Sequence, residues 1–555
     1  MLSIESESTL PKTSKAEPSL WEAAKFIAGL TLISKALGAL RDWQIFHVFG
    51  ASVATDAYFA AVQLPWYSLI LLGGLGGPFH SAVVAVFSKL IDAGKPPSDE
   101  ANRLANTVFA VVGVVFMLAS VGLGLFAQPV MQALMGGGES ATTVALAAQH
   151  LRILAPVVFF GGWIGVFYGL LNVYHHYLWP SLSPALMNIA MMAALLLFPV
   201  DANGLILSYA TVLGAALQCL MQVAPTLKEK WRFTLNPAGW AKLSDPNVKK
   251  LAILIGPMLV GTTIGQLLVM VDMLFVSKLE EGGWSAVVLS NRLLQLPIGV
   301  LQTALLVPLF PRFGRAVADT DWLSLQTDIR RGIVPLWLVS IPMMTAIVLL
   351  GEPLIRLVFE HGAFNARDTA LVSLALSFQA LQIVPYFARD TFIRVFYAFG
   401  NSWTPLWVSL AAIGVKWGLN SLLVGPLGLG GITLSTGLVT LINMGLLGSL
   451  LWRSHADTLA TSLKGLAGVL GQLVLVTLVM IAMGWGLWQG GLHVSVLSPW
   501  YAGNAWLPRI VLALVLVGFH TAWVARLNLP EAALLWGKLK PVFAKIFRNT
   551  KRNTQ

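Results

Sequence analysis

From Trp21 almost to Arg526 the chain alternates long apolar runs with short clusters of Gly, Pro, Asn or charge. A run of roughly 20 apolar residues, rising about 1.5 Å per residue, crosses a hydrocarbon layer about 30 Å thick. The pattern therefore predicts spans at 21-48, 53-75, 101-127, 143-172, 181-199, 203-225, 249-278, 285-310, 332-350, 368-399, 404-424, 430-452, 464-489 and 506-526, about fourteen in all. The shorter run 79-92 reads as the second helix continuing beyond a Gly-rich break.

The longest basic linker divides the first twelve of these spans into two sixes that resemble each other. Gln63-Leu64-Pro65 in the second helix recurs as Gln295-Leu296-Pro297 in the eighth, and Asn172 with Pro184 at the fifth recurs as Asn401 with Pro405 at the eleventh. Two matches at corresponding helices favour a duplicated six-helix unit, with a substrate site between the halves. The fold class is an all-α polytopic membrane protein: two six-helix lobes around a central cavity, plus two extra C-terminal helices. The expected boundaries are a cytoplasmic tail 1-20, an N-lobe 21-225, a basic cytoplasmic linker 226-248, a C-lobe 249-452, the two further helices within 464-526, and an amphipathic basic helix and tail 529-555. In that last segment Leu534, Leu535, Leu539, Val542, Phe543, Ile546 and Phe547 interleave with lysines, as in a helix lying on the membrane surface.

Composition agrees with this pattern. The chain is 56% hydrophobic and 11% charged, against about 25% charged for a soluble domain. Its formal charge of +11 forms neither a single patch nor an Arg/aromatic module, so nucleic acid is not an expected partner. The basic residues fall in alternate loops: Lys89, Lys95 and Arg103, then Lys228 to Lys250, then Arg312 to Arg331, then Arg453 and Lys464, then the C-terminal tail. The intervening loops hold little beyond Lys278, Arg356, Arg367 and Arg509. Positive charge inside predicts both termini on the cytoplasmic face. The first 19 residues lack a signal-peptide pattern. Cys219 stands alone, which leaves no intrachain disulfide and no multi-Cys metal site.

Charges within apolar spans carry the functional signal, because one at mid-bilayer costs at least about 2.5–3.5 kcal/mol on the insertion scale. They are Lys35, Arg41 and Asp42; Asp56; Arg152; Asp272; Arg292; Arg389, Asp390 and Arg394; and Lys416. Asp56, Ala60, Gln63 and Tyr67 share one helix face, as do Arg292, Gln295, Gly299 and Gln302, and Gln379, Gln382, Tyr386 and Arg389. Structural ion pairing would explain Asp42 and Asp390, each beside an arginine, and Arg152 near a helix end would snorkel. Pairing Arg41 with Asp56 still leaves Lys35, Arg292 and Arg394 without anions, and an unpaired buried charge is strongly unfavourable. A bound anion, with phosphate oxygens suited to guanidinium forks, would supply the balance. The expected substrate-binding set is Lys35, Arg41, Asp56, Gln63, Arg292, Gln295, Arg389 and Arg394.

Asp272 with Lys416 and Asn420 reads either as an internal ion pair or as a cation site that the lysine fills. The run Gly73-Gly74-Leu75-Gly76-Gly77-Pro78 is either a hinge or a point of close packing. His175 and His176 read as solvated loop residues. No metal, nucleotide or nucleophile motif occurs, so no catalytic residue, cofactor or metal is expected, and transport is favoured over enzymatic chemistry.

With these residues in hand, the chain resembles the MviN/MurJ family of lipid II flippases, within the multidrug/oligosaccharidyl-lipid/polysaccharide exporter superfamily. The resemblance rests on Ser34-Lys35-Ala36-Leu37-Gly38-Ala39-Leu40-Arg41-Asp42, on Phe49-Gly50 with Ala54-Thr55-Asp56-Ala57-Tyr58, on Asn291-Arg292-Leu293-Leu294-Gln295-Leu296-Pro297-Ile298-Gly299-Val300, and on Phe359-Glu360-His361-Gly362-Ala363-Phe364. It implies alternating-access export of undecaprenyl-pyrophosphoryl-disaccharide-pentapeptide, the peptidoglycan precursor, to the outer leaflet of a bacterial plasma membrane. It places Arg41, Asp56 and Arg292 at the family's essential cavity positions, with Lys35 where an arginine is usual. It assigns the last two helices to a lipid-tail groove, and implies a monomer with membrane lipids and cell-wall synthesis proteins as partners. Where many members have an arginine pair and then Glu-Gly-Ala-Phe, this chain reads Ser68-Leu69-Ile70-Leu71-Leu72 and later Gly76-Gly77-Pro78-Phe79. Lys35 or Arg394 is the expected substitute for the missing headgroup arginine. The rivals are a flippase for another polyprenyl-linked glycan, a drug exporter of the same fold, a membrane glycosyltransferase, and a non-transporting cell-wall scaffold.

Overall fold

The computed structural model describes residues 20–73, 78–91, 95–135, 138, 140–174, 176–234, 236, 238, 240–242, 244–493, 506–527 and 529–531. Most of the described chain is helix. In order, the helices are α1 Leu20–Phe49, α2 Val53–Gly73, α3 Pro78–Phe87, α4 Asp99–Leu125, α5 Ala127–Met135, α6 Ala141–Leu154, α7 Pro156–Val173, α8 Leu178–Leu197 and α9 Leu205–Lys228. Then come α10 Pro246–Val276, α11 Gly283–Leu301, α12 Phe310–Ala318, α13 Trp322–Phe359, α14 Ala366–Gln379, α15 Ile383–Ala398, α16 Trp403–Leu427, α17 Leu429–Ser454, α18 Ala456–His493 and α19 Trp506–Arg526. Each of the fourteen apolar runs contains a helix. Among the described residues, ten continuous helical stretches are long and apolar enough to cross a membrane.

Where helices stop differently from the pattern, backbone chemistry gives the reason. Pro156, which has no N–H to donate, splits the fourth run into α6 and α7. The eighth run ends at Leu301, passes through a π turn (Gln302–Leu306) and a 3-10 turn (Val307–Leu309), and only then enters α12. The tenth run is interrupted by a 3-10 turn, Ala380–Gln382. The ninth run proves much longer, because α13 extends at its start through polar turns in which Asp328 receives Arg312 at 2.8 Å and Arg331 at 3.8 Å. α2 ends at Gly73 and α3 starts at Pro78; the other expected hinge positions, Gly74, Gly76 and Gly77, lie outside the described residues. So do most of the expected C-terminal amphipathic helix and the N-terminal tail.

α2 packs on α6 and α7, and α8 packs on α9 and α1. In the second half α17 packs on α14, α15 and α16, while α11 and α13 both pack on α14. α10 packs on both halves: it touches α3 as well as α16. Its first turns place Leu251, Leu254 and Ile255 into a core with Phe79, Val83, Phe87 and Leu104. Trp231, from the expected linker, fills the same core with 3% of its surface exposed. The linker is further bound to α4 through side-chain amides: the backbone N–H of Arg232 donates to Asn102 (2.9 Å) and that of Thr234 to Asn106 (2.9 Å). Asn106 Nδ2 returns a bond to the Arg232 carbonyl (2.9 Å). Asn102 and Asn106 sit four apart and so present one face to the linker.

α18 and α19 pack on each other and on α13. His520 of α19, buried among apolar residues, shares a hydrogen bond with the Leu338 carbonyl (3.1 Å).

Truncating a buried aromatic removes its transfer energy and leaves a cavity, a loss of about 3–5 kcal/mol. Trp231→Ala should therefore lower the melting temperature of the detergent-solubilised protein by several degrees. An unchanged melting curve would show that the linker is not part of the packed core.

Candidate functional site

Polar side chains from both halves converge on a cavity of about 430 Å³. The first half supplies Arg41 from α1 and Tyr58, Gln63 and Trp66 from α2. The second half supplies Gln266 and Asp272 from α10, Asn291, Arg292 and Gln295 from α11, and Gln379, Gln382, Tyr386 and Arg389 from the α14–α15 stretch. Lys416 of α16 and Thr436, Thr440 and Asn443 of α17 close the far wall. The repeated Gln-Leu-Pro motif is spatially meaningful, since Gln63 and Gln295 both face this space. Gln63 also donates to Gln266 at 3.2 Å.

At the junction of the halves, two guanidinium groups share one carboxylate oxygen. Arg41 reaches Asp42 Oδ1 through Nε at 3.0 Å and Nη2 at 2.7 Å. Arg292 Nη1 donates to the same oxygen from across the interface, with its guanidinium 4.9 Å from the Phe59 ring centroid. Arg41 and Asp42 are 9% and 6% exposed, so little water reaches that pair, whereas the Arg292 side chain keeps 32% of its surface exposed. A second cavity of about 250 Å³ adjoins this trio and is lined by Lys35, Gly38, Arg41, Asp42, Arg292 and Gln295 among others. The Lys35 ammonium lies against Gly299, where a β-carbon would collide with it.

Two sequence expectations are corrected. Asp56 does not line either cavity and is not the partner of Arg41. Its carboxylate is 2% exposed and accepts the Gly282 N–H (2.7 Å), the Ser285 N–H (2.7 Å) and the Ser285 hydroxyl (2.6 Å). Because Asp56 sits in the first turn of α2, its face points to the start of α11, whose free N–H groups and positive dipole end attract a carboxylate. Arg394 also lines neither cavity. It is one turn from Asp390, reaches it at 3.3 Å, and stacks 3.5 Å from the Phe310 centroid. It therefore does not stand in for the arginine that this chain lacks at Leu69 to Leu72, whereas Lys35 does face a cavity.

The Asp56 cap belongs to a closed face made by both halves. Trp43 Nε1 donates to the Val358 carbonyl (2.8 Å), the Ala363 N–H to His47 (2.8 Å), the Ala51 N–H to Asp368 (3.3 Å) and the Val53 N–H to Glu281 (3.2 Å). Gly282 and Gly362 adopt φ of 86° and 67° there, a region glycine enters without steric cost. A β-carbon on Gly282 would lie 2.6 Å from the Ala51 carbonyl oxygen.

Deeper in the second half, Lys416 is 2% exposed and lies 2.9 Å from Asp272. It also donates to Thr436 Oγ1 and, at 3.4 Å, to the Ile432 carbonyl. Asn420 donates to Asp272 at 3.0 Å and accepts from Ser435. The ammonium thus occupies the oxygen cluster that the sequence left open as a cation site. Arg152 is exposed at the end of α6, and His176, rather than being free in solvent, lies 2.7 Å from Glu229; His175 is outside the described residues. Sequence reasoning missed Gln266 and the α17 wall, although Thr436, Thr440 and Asn443 step by four and three along one helix face.

Comparison with known proteins gives concordant results. The model of the family described as MurJ, lipid II flippase, matches residues 45–500. A probable lipid II flippase MurJ of Synechocystis sp. is 32% identical over 554 residues, covering 96% of this chain and 99% of that protein. Lipid II flippase MurJ of Burkholderia cenocepacia is 27% identical over 434 residues, covering 76% and 82%. Among solved structures, a lipid II flippase MurJ in an inward closed conformation aligns with a TM-score of 0.69 at 20% identity, over 90% of this chain and 99% of that one. An inward-facing multidrug resistance transporter of the MATE family aligns with a TM-score of 0.56 at 15% identity, over 80% and 99%. The last two establish a common fold.

Two predictions follow from this geometry. Asp56→Ala removes the cap that joins the halves, a loss of at least about 0.5–2 kcal/mol, and should open the closed face. An Asn291→Cys reporter, in a chain with Cys219→Ala, should then react several-fold faster with an impermeant thiol reagent added from that face; an unchanged rate would remove the cap from the gate. Asp272→Leu alone strands the Lys416 ammonium and should cost about 3–5 kcal/mol, whereas Asp272→Leu with Lys416→Met should recover most of it. Melting temperatures of the two variants check the pair, and equal losses in both would show that it is not the lysine that makes Asp272 important.

Proposed function

The chain belongs to the MurJ family of lipid II flippases, and from that premise we propose that Arg41 and Arg292 receive the pyrophosphate of lipid II in the cavity between the halves. The observation that carries this reading is the shared carboxylate: the buried guanidinium of Arg41 and the partly exposed one of Arg292 meet a single Asp42, two positive charges against one negative at the junction. Arginine forks bind phosphate oxygens through paired, charge-assisted bonds. Lys35, in the adjoining cavity, adds a third cation close by.

The same bridge suggests how binding is coupled to movement. Arg292 of α11 holds Asp42 of α1 across the interface, so a polyanion competing for Arg292 weakens a direct tie between the halves. The closed face, held by Asp56, Asp368 and the Gly282 and Gly362 turns, then separates as the opposite face closes. α10, packed on both halves, carries the motion. Translocation needs no covalent change in the lipid, and the cavity's polar groups are suited to holding and releasing a headgroup.

The proposed setting is a bacterial plasma membrane with both termini cytoplasmic, in accord with the basic loops at Arg312 to Arg331 and Arg453 to Lys464. α18 and α19 serve the polyprenyl tail; Leu475, Leu478 and Leu514 on these helices are 51%, 59% and 67% exposed and face outward. The protein works as a monomer that cell-wall synthesis proteins can approach. A drug exporter for cations would need a cavity of acidic character, whereas Arg41, Arg292, Arg389 and Lys416 line this one against Asp272 alone.

A charge-assisted hydrogen bond contributes about 1.5–3 kcal/mol, so Arg41→Ala or Arg292→Ala should lower flipping at least tenfold. Depletion of the wild-type chain should leave lipid II on the inner leaflet, measured by leaflet-resolved labelling, and neither variant should restore it. Full restoration by both variants would remove the pyrophosphate from this position. Chemically altered lipid recovered from the assay would point to a transferase instead.

A further inference from the structure

The cavity has a second cationic pole that the pyrophosphate does not reach. Arg389 of α15 stacks on Tyr386, with its guanidinium 4.8 Å from the ring centroid, and its Nε is buried without a hydrogen-bond partner. Gln382, two turns earlier on the same wall, is 6% exposed, and its Nε2 also lacks a partner. Asp390 beside them is already engaged by Arg394 at 3.3 Å and by Gln302 at 3.2 Å. Among the described residues, no carboxylate lies within ion-pair distance of Arg389. A buried donor without an acceptor is unfavourable, so this wall is built for a group that arrives with the substrate.

Two cross-links set how far this pole lies from Arg292. Ser290 of α11 donates to Gln379 Oε1 at 2.9 Å, and Gln302 donates to Asp390 Oδ2 at 3.2 Å. These bonds align α11 and the α14–α15 stretch in parallel, with Arg292 near the first link and Arg389 beside the second. Ten residues of helix separate Arg292 from Gln302, a rise of about 15 Å. A pyrophosphate, two linked tetrahedra, is shorter than that interval.

We propose that Arg389 binds a free carboxylate of the stem peptide of lipid II, while Arg41 and Arg292 hold the pyrophosphate. This rests on the reading of the pyrophosphate site above. A five-residue peptide reaches up to about 17 Å when extended, enough to span the interval. A planar carboxylate accepts two parallel bonds from a guanidinium. The uncharged sugars give no comparable reason for a cation at this point. The cavity therefore recognises its substrate at two separate anions and discriminates against polyprenyl pyrophosphates that carry no acidic peptide.

The test is equilibrium binding to the full-length protein in phosphatidylcholine nanodiscs, using three probes: lipid II, lipid II with its peptide carboxylates converted to amides, and bare undecaprenyl pyrophosphate. For the wild type, amidation should weaken binding roughly tenfold. Arg389→Ala should weaken lipid II to a similar degree, leave the other two probes unchanged, and be partly rescued in Arg389→Lys. Unchanged binding of undecaprenyl pyrophosphate also shows that the variant is folded. Equal weakening of all three probes by Arg389→Ala, or wild-type binding indifferent to amidation, would overturn the peptide assignment. Failure of Arg292→Ala to weaken undecaprenyl pyrophosphate would instead strike the pyrophosphate site, so the two ideas fail by different results.

Discussion

The arrangement depends on one carboxylate that serves two arginines. Asp42 accepts from Arg41 on its own helix and from Arg292 on the other half, in surroundings where charge is poorly solvated. Such a trio is held together by attraction to the central carboxylate and kept open to change by repulsion between the guanidinium groups. Removing a buried charge outright is costly, but adding an anion to an anion-poor cluster is favourable. On the proposed reading a polyanionic headgroup is the complement, and its arrival would alter the bond that links the halves.

The rest of the structure can be understood as what lets this bond matter. On one side, a set of caps and backbone bonds closes the gap, with Asp56 at the start of α11 and Gly282 allowing the chains to approach. In the second half, Asp272 and Lys416 satisfy each other within an oxygen-rich pocket, which gives the α16–α17 wall a fixed form. Through its two ends, α10 packs on both halves, while Asn102 and Asn106 keep the preceding linker on α4. Rigid halves and a narrow, polar junction are the requirements of a device that changes which side is open.

Much of the site was legible because intramembrane charge is rare and helical spacing is regular. Gln63, Arg292, Gln295 and Arg389 stand on predicted polar faces and, together with Arg41, do line the cavity. Asp56 lies on such a face too, yet it caps another helix, because one turn of height decides whether a side chain meets a cavity or a neighbouring helix end. Arg394 looked like surplus charge, but the carboxylate one turn away takes it up. Adjacency pointed Asp390 to Arg389 instead, and only the packed helix shows it turned to Arg394, with Phe310 and Gln302 beside it.

The sequence by itself determined the membrane-spanning class, the helical segments, the doubled organisation and the excess of intramembrane cations, since these follow from apolar length, short repeats and composition. Tertiary structure decided which charges meet: that Asp42 is shared, that Asp56 reaches α11, and that Arg389 Nε is left buried without a hydrogen-bond partner. Those outcomes depend on the relative height and rotation of helices far apart in the chain. Hydrophobic periodicity fixes the face of a helix but not its neighbour.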